Sequence, residues 1–455
     1  MTTAKRENKV RTTITLAIPI VIGQLGVMLM GLADTVQVGQ MKNLAAESLG
    51  AAGMAGSIFF TIAVIGLICL QIISPMISKA KAENDLSECG NLLRAALRVA
   101  IFLAILTIAI IGLLGLNYDL FGQSAINKQL TLPYLSVIAL SILPMFIFGA
   151  FKGFTDGLED TSVGMTITLI ALIINIGLNF VLINGWGFIP ALGLFGSGIA
   201  TLTARIFMAL ALVIYVFTKK SYKPYLTKKH VHQAWVIEKK ILQVGIPSGF
   251  QGFFEIATFG MAVVMMGWIS TTAQAAHIVA INMASLTYMA ATGIASAGGI
   301  QVGTALGERS HKEIIASGNA ALKITIVFMG ICAAIMYFGK YWLVRGYTQD
   351  LSVIEIAMSL VTWGAIFQLF DGIQAVSLGL LRGLQDVKIP TAITIFSYWV
   401  VGLPLSYYLG IYLPFGAIGI WVGLTISLVC SAGLLSWRFY SKAPRINFEE
   451  LIIED

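Results

Sequence analysis

Residues 91–115 read NLLRAALRVAIFLAILTIAIIGLLG, and this stretch decides the fold class. It contains no charged side chain after Arg98, and it exceeds the about 20 residues that one helix needs to cross a bilayer. Similar apolar runs recur along all 455 residues, of which 57% are hydrophobic and only 11% charged. A soluble domain carries about 25% charged residues. The composition therefore predicts a membrane protein with many spans and excludes a soluble enzyme, a secreted disulfide scaffold and a disordered regulator.

The alternation of apolar runs with polar breaks predicts an all-α protein with twelve transmembrane helices. We place these helices at residues 12–38, 46–76, 91–115, 130–152, 162–184, 192–218, 241–268, 275–305, 316–340, 353–381, 388–411 and 414–440.

Lysine and arginine alternate between rich and poor loops, which is the pattern that the positive-inside rule requires. Because twelve is even, both termini share one side, and that side holds 23 of these residues. The other side holds four, Lys42, Lys128, Lys340 and Arg345. We therefore predict cytoplasmic termini, and we assign the net charge of +7 to the membrane surface and not to nucleic acid.

The only long hydrophilic stretch, 219–240, lies almost at the midpoint of the chain. We interpret it as a basic cytoplasmic linker between an N-terminal six-helix lobe, 1–218, and a C-terminal six-helix lobe, 241–455. The two lobes share short motifs. LAIPIVIGQ around Pro19 resembles VGIPSGFQG around Pro247 at an offset of 228 residues, and Gly90 aligns with Gly318 at the same offset.

The GLED motif at 157–160 also matches GLQD at 383–386, at an offset of 226. Nearly constant offsets predict a duplicated chain whose copies share one orientation. Two such homologous bundles would face each other around a central cleft.

Three acidic residues, Asp34, Glu255 and Asp371, fall well inside predicted helices. A carboxylate in hydrocarbon must face a cavity, a partner or an ion. All three are therefore candidate sites for Na+ or H+, and Glu255 with Asp371 is a candidate Na+ site. A structural hydrogen-bonding role remains open for each, and Asp34 could also be an interfacial acid. Arg205 and Lys323 are the two bases that are assigned to neither side of the membrane, so three intramembrane acids face two bases and the interior suits a cationic cargo.

Several neutral polar side chains are further candidates. Asn175 and Asn179 are spaced i, i+4 and share a helix face, where they could contact Asp34 or join helices. Gln251 and His277 are candidate polar groups of the substrate cleft. His277 could relay protons, although a lone histidine more often only forms a hydrogen bond.

Taken together and in order, these motifs resemble the multidrug and toxic compound extrusion (MATE) family, specifically its NorM-like bacterial branch. The likeness covers nearly the whole chain. It depends on Pro19, Asp34, the Asn175 and Asn179 pair, GIPSGFQGFFE at 245–255, AAHIVAIN around His277, GTALGE at 303–308, and the Asp371 helix that ends in LRGLQD. The acid at position 255 favours the NorM-like branch, whereas Ile278 stands where we expect a polar residue.

The resemblance implies two six-helix lobes around a V-shaped cleft, and export of varied, often cationic compounds in exchange for Na+ or H+. By position, Glu255 and Asp371 would match the cation site of the C-terminal lobe, and Asp34 with Asn175 and Asn179 the site of the N-terminal lobe. We expect no cofactor other than the coupling ion, and no nucleic-acid or obligate protein partner. The protein should be a monomer in the bacterial inner (plasma) membrane.

Three other classes of membrane protein fit the sequence less well. A lipid-linked precursor flippase of the same broad superfamily would hold phosphate with cationic residues, which the acidic interior disfavours. An intramembrane enzyme would need a constellation such as HExxH, and an ATP-driven pump a GxxxxGK[ST] loop, but the sequence contains neither. The four cysteines form no CxxC pair. We therefore predict a carrier without catalytic residues.

Overall fold

The computed structural model describes residues 3–187, 189–227 and 234–449. Residues 228–233 of the predicted linker, which include Lys228 and Lys229, lie outside the described residues.

The described residues form sixteen α-helices and, apart from an isolated bridge between Trp186 and Ile189, no β-structure. The helices are α1 Thr3–Gly39, α2 Ala45–Leu70, α3 Ile73–Ala82, α4 Leu86–Leu116, α5 Ala125–Leu140, α6 Ile142–Gly157, α7 Thr161–Asn184, α8 Gly193–Thr218, α9 Lys223–Thr227, α10 Ala234–Ile269, α11 Thr271–Gly307, α12 His311–Arg345, α13 Leu351–Gly383, α14 Lys388–Ile395, α15 Leu403–Tyr407 and α16 Gly416–Lys442.

Twelve helical segments within the described residues are long and apolar enough to cross a membrane. The second combines α2 with α3 (Ala45–Ala82), and the fourth combines α5 with α6 (Ala125–Gly157). The eleventh, Lys388–Tyr412, joins α14 to α15 through a π-helical segment at Phe396–Gly402 and ends in a second one at Tyr408–Tyr412. Each predicted span coincides with one of these segments, so the prediction of an all-α protein with twelve spans is confirmed.

Polar side chains define where several helices begin. Asp85 accepts a hydrogen bond from the backbone N–H of Glu88 at the start of α4 (2.9 Å), and Ser270 accepts one from Ala273 at the start of α11 (3.0 Å). Such capping satisfies N–H groups that have no partner within the helix.

The chain divides into two compact units. The N-terminal unit is Ile22–Gly249, and the C-terminal unit combines Met1–Val21 with Phe250–Asp455. The divisions fall within α1 and α10, two residues after Pro19 and Pro247. A proline removes one hydrogen bond of its helix, so the two parts of each helix can follow different neighbours.

Packing explains why these units differ from the lobe boundaries at 218 and 241. Leu16, Ala17 and Ile20 of α1 share one buried cluster with Ile294 and other residues of the C-terminal unit, and Lys9 forms an ion pair with Glu313 (3.0 Å). In the N-terminal unit, Ile241 of α10 belongs to the main apolar core. The two lobes as continuous chain segments remain a prediction.

The repeat is visible in the backbone. In the turn at 157–160 Glu159 has φ 69°, and in the turn at 383–386 Gln385 has φ 57°. The N–H of Asp160 donates to the carbonyl of Thr155, and the N–H of Asp386 donates to that of Leu381, both at 2.9 Å. The two motifs therefore adopt the same left-handed turn at the predicted offset of 226.

One alignment of the repeat is wrong. Helices α4 and α12 begin at Leu86 and His311, an offset of 225 residues. Because neither helix is interrupted, Gly90 cannot correspond to Gly318 at an offset of 228. The sequence match is displaced by three residues, about one helical turn.

Asp160 anchors the first residues of the linker to the N-terminal unit. Its Oδ2 accepts hydrogen bonds from Lys219 Nζ (2.5 Å), the Tyr222 hydroxyl (2.5 Å) and the Tyr215 hydroxyl (3.2 Å). Partial burial alone would raise the pKa of Asp160, but the hydrogen bonds from Lys219 and Tyr222 hold it below its ordinary value.

The C-terminal unit repeats this arrangement. Asp386 accepts a hydrogen bond from Arg438 Nε (2.8 Å) and forms an ion pair with Lys442 Nζ (3.4 Å). In both halves, an acid at the start of the fifth span therefore pairs with a base near the end of the sixth.

Candidate functional site

Asp34 lies in α1 at the centre of a polar cluster in the N-terminal unit. Its Oδ1 accepts hydrogen bonds from Asn175 Nδ2 (3.0 Å) and Asn179 Nδ2 (2.5 Å), both on α7. Its Oδ2 accepts one from Thr201 Oγ1 on α8 (2.8 Å). Three helices thus converge on one partly buried carboxylate, and the structure brings together the three residues that the sequence singled out here.

Arg205 lies one turn after Thr201 and interacts electrostatically with Asp34. Its Nη1 donates to the hydroxyl of Ser141 (2.6 Å), at the break between α5 and α6, and its guanidinium lies 4.9 Å from the centre of the Phe59 ring. The charge is therefore held inside the unit by a hydrogen bond and a cation–π contact.

Glu255 lies in α10 of the C-terminal unit, and its side chain is buried. Its Oε1 accepts a hydrogen bond from the Tyr288 hydroxyl on α11 (3.2 Å), and its Oε2 lies 3.5 Å from Gln251 Nε2. The Oε1 of Gln251 accepts a hydrogen bond from Arg382 Nη2 (3.2 Å). Gln251 thus separates a carboxylate from a guanidinium that also interacts with it electrostatically.

Asp371, on α13, is buried and interacts electrostatically with Glu255. No described side chain donates a hydrogen bond to it. Two buried carboxylates of like sign within electrostatic reach repel each other unless a proton or a cation lies between them. This pair is thus the strongest candidate for a cation-binding site in the C-terminal unit.

Amide and phenol groups lie around the two acids. The Thr287 hydroxyl donates to Gln368 Oε1 (2.8 Å), and the Tyr398 hydroxyl donates to Gln374 Oε1 (3.0 Å). The amide nitrogens of both glutamines are buried and have no partner among the described residues. Tyr398 belongs to the first π-helical turn and interacts electrostatically with Glu255 and Asp371.

His277, on α11, is completely buried and forms no hydrogen bond with either acid. Its Nδ1 accepts a hydrogen bond from the indole N–H of Trp421 (3.1 Å), and its Nε2 has no partner among the described residues. His277 therefore packs in an apolar core with Trp421, apart from the carboxylates.

A family model described as MatE matches the chain twice, at residues 19–181 and 247–408, which together are more than half of it. The chain belongs to the MATE family. The double match confirms the duplication, since the two segments begin at the two motif prolines.

This MATE protein is similar to proteins named probable multidrug resistance protein NorM. The relative from Idiomarina loihiensis is 34% identical over 427 residues, covering 92% of this chain and 91% of the relative. The relative from Agrobacterium fabrum is 32% identical over 438 residues, covering 94% and 93%. The resemblance to the NorM-like branch is confirmed, and the chain is a transporter-family protein and not an enzyme.

Solved structures show the same fold. The eukaryotic MATE transporter AtDTX14 has a TM-score of 0.86 at 17% identity, covering 98% of this chain and 97% of that one. A MATE protein in a bent conformation has a TM-score of 0.85 at 19% identity, with the same coverage.

Four residues of the two clusters in this MATE protein were not predicted from the sequence: Thr201, Tyr288, Tyr398 and Arg382. The predicted helix 353–381 leaves Arg382 in a loop, but Arg382 lies in the last turn of α13, beside Gln251. Lys323 lies in the ninth span with an exposed side chain. The base that interacts electrostatically with Glu255 is Arg382, which a count of charges within apolar runs could not find.

Proposed function

We propose that this protein is a secondary active antiporter of the bacterial plasma membrane that exports cationic or amphipathic organic compounds in exchange for Na+ or H+. The names of its NorM relatives support multidrug efflux. The observation that carries the ion-coupling part is the pair of buried carboxylates, Glu255 and Asp371, within electrostatic reach of each other.

Competition for these carboxylates would couple the two fluxes. When both acids are ionised they attract an organic cation, and when one binds H+ or Na+ that attraction weakens and the cargo is released. A Na+ ion prefers oxygen ligands, which Glu255, Asp371 and the Tyr288 hydroxyl could supply. Across the described ranges no three His, Cys, Asp or Glu side chains are clustered as in a transition-metal site.

The Asp34 cluster would be a second coupling site. Its three neutral donors satisfy an ionised carboxylate without supplying a counter-charge, so the charge stays available to a proton or a cation. Moving one elementary charge down the membrane potential provides about 2.3 kcal/mol per 100 mV, so one or two coupled ions can drive a useful gradient.

The flippase alternative would require basic side chains free to hold a phosphate. Arg205 donates to Ser141, and Arg382 donates to Gln251 beside Glu255. Both partly buried bases therefore have neutral partners and a carboxylate within electrostatic reach, which favours cation export.

The test is efflux of a fluorescent organic cation from vesicles that contain the purified protein. A Na+ gradient and a pH gradient are imposed separately. We expect at least one gradient to drive efflux. If neither gradient drives efflux although the protein is shown to be folded, the flippase would be favoured.

The variants Glu255→Gln, Asp371→Asn and Asp34→Asn test the coupling sites under the same gradients. We expect each to reduce efflux by about tenfold or more, because it removes a charge–charge or charge–ion contact. Asp119→Asn is the matched control, since Asp119 is exposed and pairs only with Lys128. Efflux by all three variants at the rate of the control would contradict the proposed role of the carboxylates.

A further inference from the structure

The C-terminal unit has a groove that neither Glu255 nor Asp371 lines. It encloses about 590 Å³ between the end of α12, the first three turns of α13 and the start of α16. Ligand sites in proteins commonly enclose about 300–1,000 Å³. The groove is thus large enough for a small polar group with an apolar tail.

Two opposite charges line this groove. Lys340 Nζ donates to Thr362 Oγ1 (3.0 Å) and lies 5.2 Å from the centre of the Tyr337 ring, which leaves further N–H groups of the ammonium unused. Glu355 is exposed and forms no ion pair with any described residue, Lys340 included. One groove therefore offers a fixed cation and a free carboxylate that do not neutralise each other.

The groove lies at the depth of lipid headgroups. Lys340 is five residues before the end of α12, and Glu355 is four residues after the start of α13, which places both about 7 Å from their helix ends. Tyr341, Trp342 and Tyr347 follow Lys340 within seven residues of the chain and are exposed. Exposed Trp and Tyr mark the boundary between hydrocarbon and headgroups.

Apolar side chains line the rest of the groove. They include Met358 and Trp363 of α13 and Ile418 of α16. Ile418 and Leu351, which also lines the groove, are exposed. In a membrane protein such exposed apolar side chains are covered by acyl chains.

We propose that this groove binds a membrane phospholipid whose headgroup carries a primary ammonium, such as phosphatidylethanolamine. The lipid phosphate contacts Lys340, its ammonium donates to Glu355, and an acyl chain lies against the apolar side chains of the groove, Met358 and Ile418. A headgroup with both charges matches the groove better than an anionic headgroup, which would meet Glu355. A trimethylated headgroup lacks the N–H groups that the carboxylate accepts.

The test uses the full-length protein in mild detergent, exposed to equal amounts of phosphatidylethanolamine, phosphatidylcholine and phosphatidylglycerol. Native mass spectrometry counts the retained lipids. We expect about fivefold more phosphatidylethanolamine than phosphatidylcholine, which corresponds to one partly exposed ion pair. In Glu355→Gln this ratio should fall to about one, and in Lys340→Gln retention of all three lipids should fall.

Arg345→Gln and Asp119→Asn are the matched controls, since each removes an exposed charge outside the groove. Glu355→Lys should shift the preference to phosphatidylglycerol, so a second variant tests the same carboxylate. An unchanged lipid preference in Glu355→Gln and Glu355→Lys would overturn the proposal.

Excess glycerophosphoethanolamine, which has the headgroup without chains, distinguishes a lipid from a free phosphate ester. If it displaces the lipid completely, the apolar side chains of the groove are not part of the site, and the proposal of a membrane lipid is wrong. Efflux by the groove variants should equal that of the parent protein. A failure of the lipid proposal would therefore leave the proposed antiport mechanism unaffected.

Discussion

Tyr288 and Gln251 both donate to Glu255, and the Tyr288 hydroxyl is the closer donor, at 3.2 Å against 3.5 Å for the Gln251 amide. A hydroxyl can donate to an ionised carboxylate or offer its oxygen to a cation. At the scale of single residues, this makes Tyr288 the most informative neutral group of the C-terminal site.

We predict that Tyr288→Phe weakens ion coupling without unfolding the protein. A hydrogen bond to a charged group contributes about 1.5–3 kcal/mol, so the ion concentration for half-maximal efflux should rise by about tenfold to a hundredfold. The measurement is efflux rate against Na+ concentration or external pH. The control is Tyr337→Phe, because Tyr337 is exposed and lies on α12, whereas Glu255 and Tyr288 lie on α10 and α11. An unchanged half-maximal concentration would show that the hydroxyl has no part in ion binding.

The sequence could predict the acids but not most of their partners. A carboxylate inside an apolar run is conspicuous, and the i, i+4 spacing of Asn175 and Asn179 indicates a shared face. Thr201 is 167 residues from Asp34, and Arg382 is 131 from Gln251, so only tertiary packing brings them together. Tyrosine and threonine are also common on helix faces that bind nothing, so their presence carries no signal.

At the scale of helices, the backbones of α11 and α13 pack closely against each other. A Cβ atom added at Gly379 would lie 2.3 Å from the carbonyl oxygen of Ala295, and one added at Gly383 would lie 2.7 Å from that of Gly299. This GxxxG spacing lets the two helix backbones approach closely.

We predict that Gly379→Ala destabilises the protein by about 1–3 kcal/mol, because the added methyl group must displace the backbone. Thermal unfolding in detergent measures the effect. Gly330→Ala, on α12, is the matched control, since a Cβ there meets nothing within 4 Å. The control should gain roughly 0.5–1 kcal/mol from helix propensity. Equal unfolding midpoints in the two variants would contradict tight packing at Gly379.

The Asp160 anchor makes a second prediction at this scale. In Asp160→Asn the charge that holds Lys219 and Tyr222 is lost, so trypsin should cleave after Lys220 about twofold to fivefold faster. Mass spectrometry identifies the cleavage sites. Asp386→Asn is the matched control, because it removes the equivalent acid of the other half. Equal cleavage in both variants would show that Asp160 does not hold the linker.

The pKa of Asp160 lies below its ordinary value, so the anchor is stabilising above the ordinary pKa and is lost as pH falls through the lowered one. Its ordinary value is 3.8. Protection of the parent protein should therefore be the same at pH 6 and pH 8, after correction for trypsin activity.

At the scale of helices the sequence predicted all twelve spans, because hydropathy reports the transfer of whole segments into hydrocarbon. It did not predict the break between α5 and α6 at Ser141 or the π-helical turns around α15. These features change the backbone hydrogen-bond register without changing the hydropathy of the segment. The division of α1 and α10 was also missed, since it depends on which neighbour each half-helix packs against.

For the whole molecule, the 23 to 4 distribution of Lys and Arg predicts that the linker 219–240 faces the cytoplasm. Trypsin added to inverted membrane vesicles should cut the linker, whereas trypsin added to right-side-out vesicles should leave it intact. Mass spectrometry of the fragments distinguishes the two. Linker cleavage in right-side-out vesicles would show that the linker faces the outside of the cell, and the proposed direction of export would then be wrong.

The composition of the two units has a consequence for the order in which the chain matures during synthesis. The contacts within Ile22–Gly249 can form once residue 249 has left the ribosome. Leu16, Ala17 and Ile20 are made before all of them, yet they pack with Ile294 and later residues. The N-terminal half of the first helix must therefore enter the bilayer before its packing partners exist. The earliest residues to be translated are thus among the last to reach their native packing.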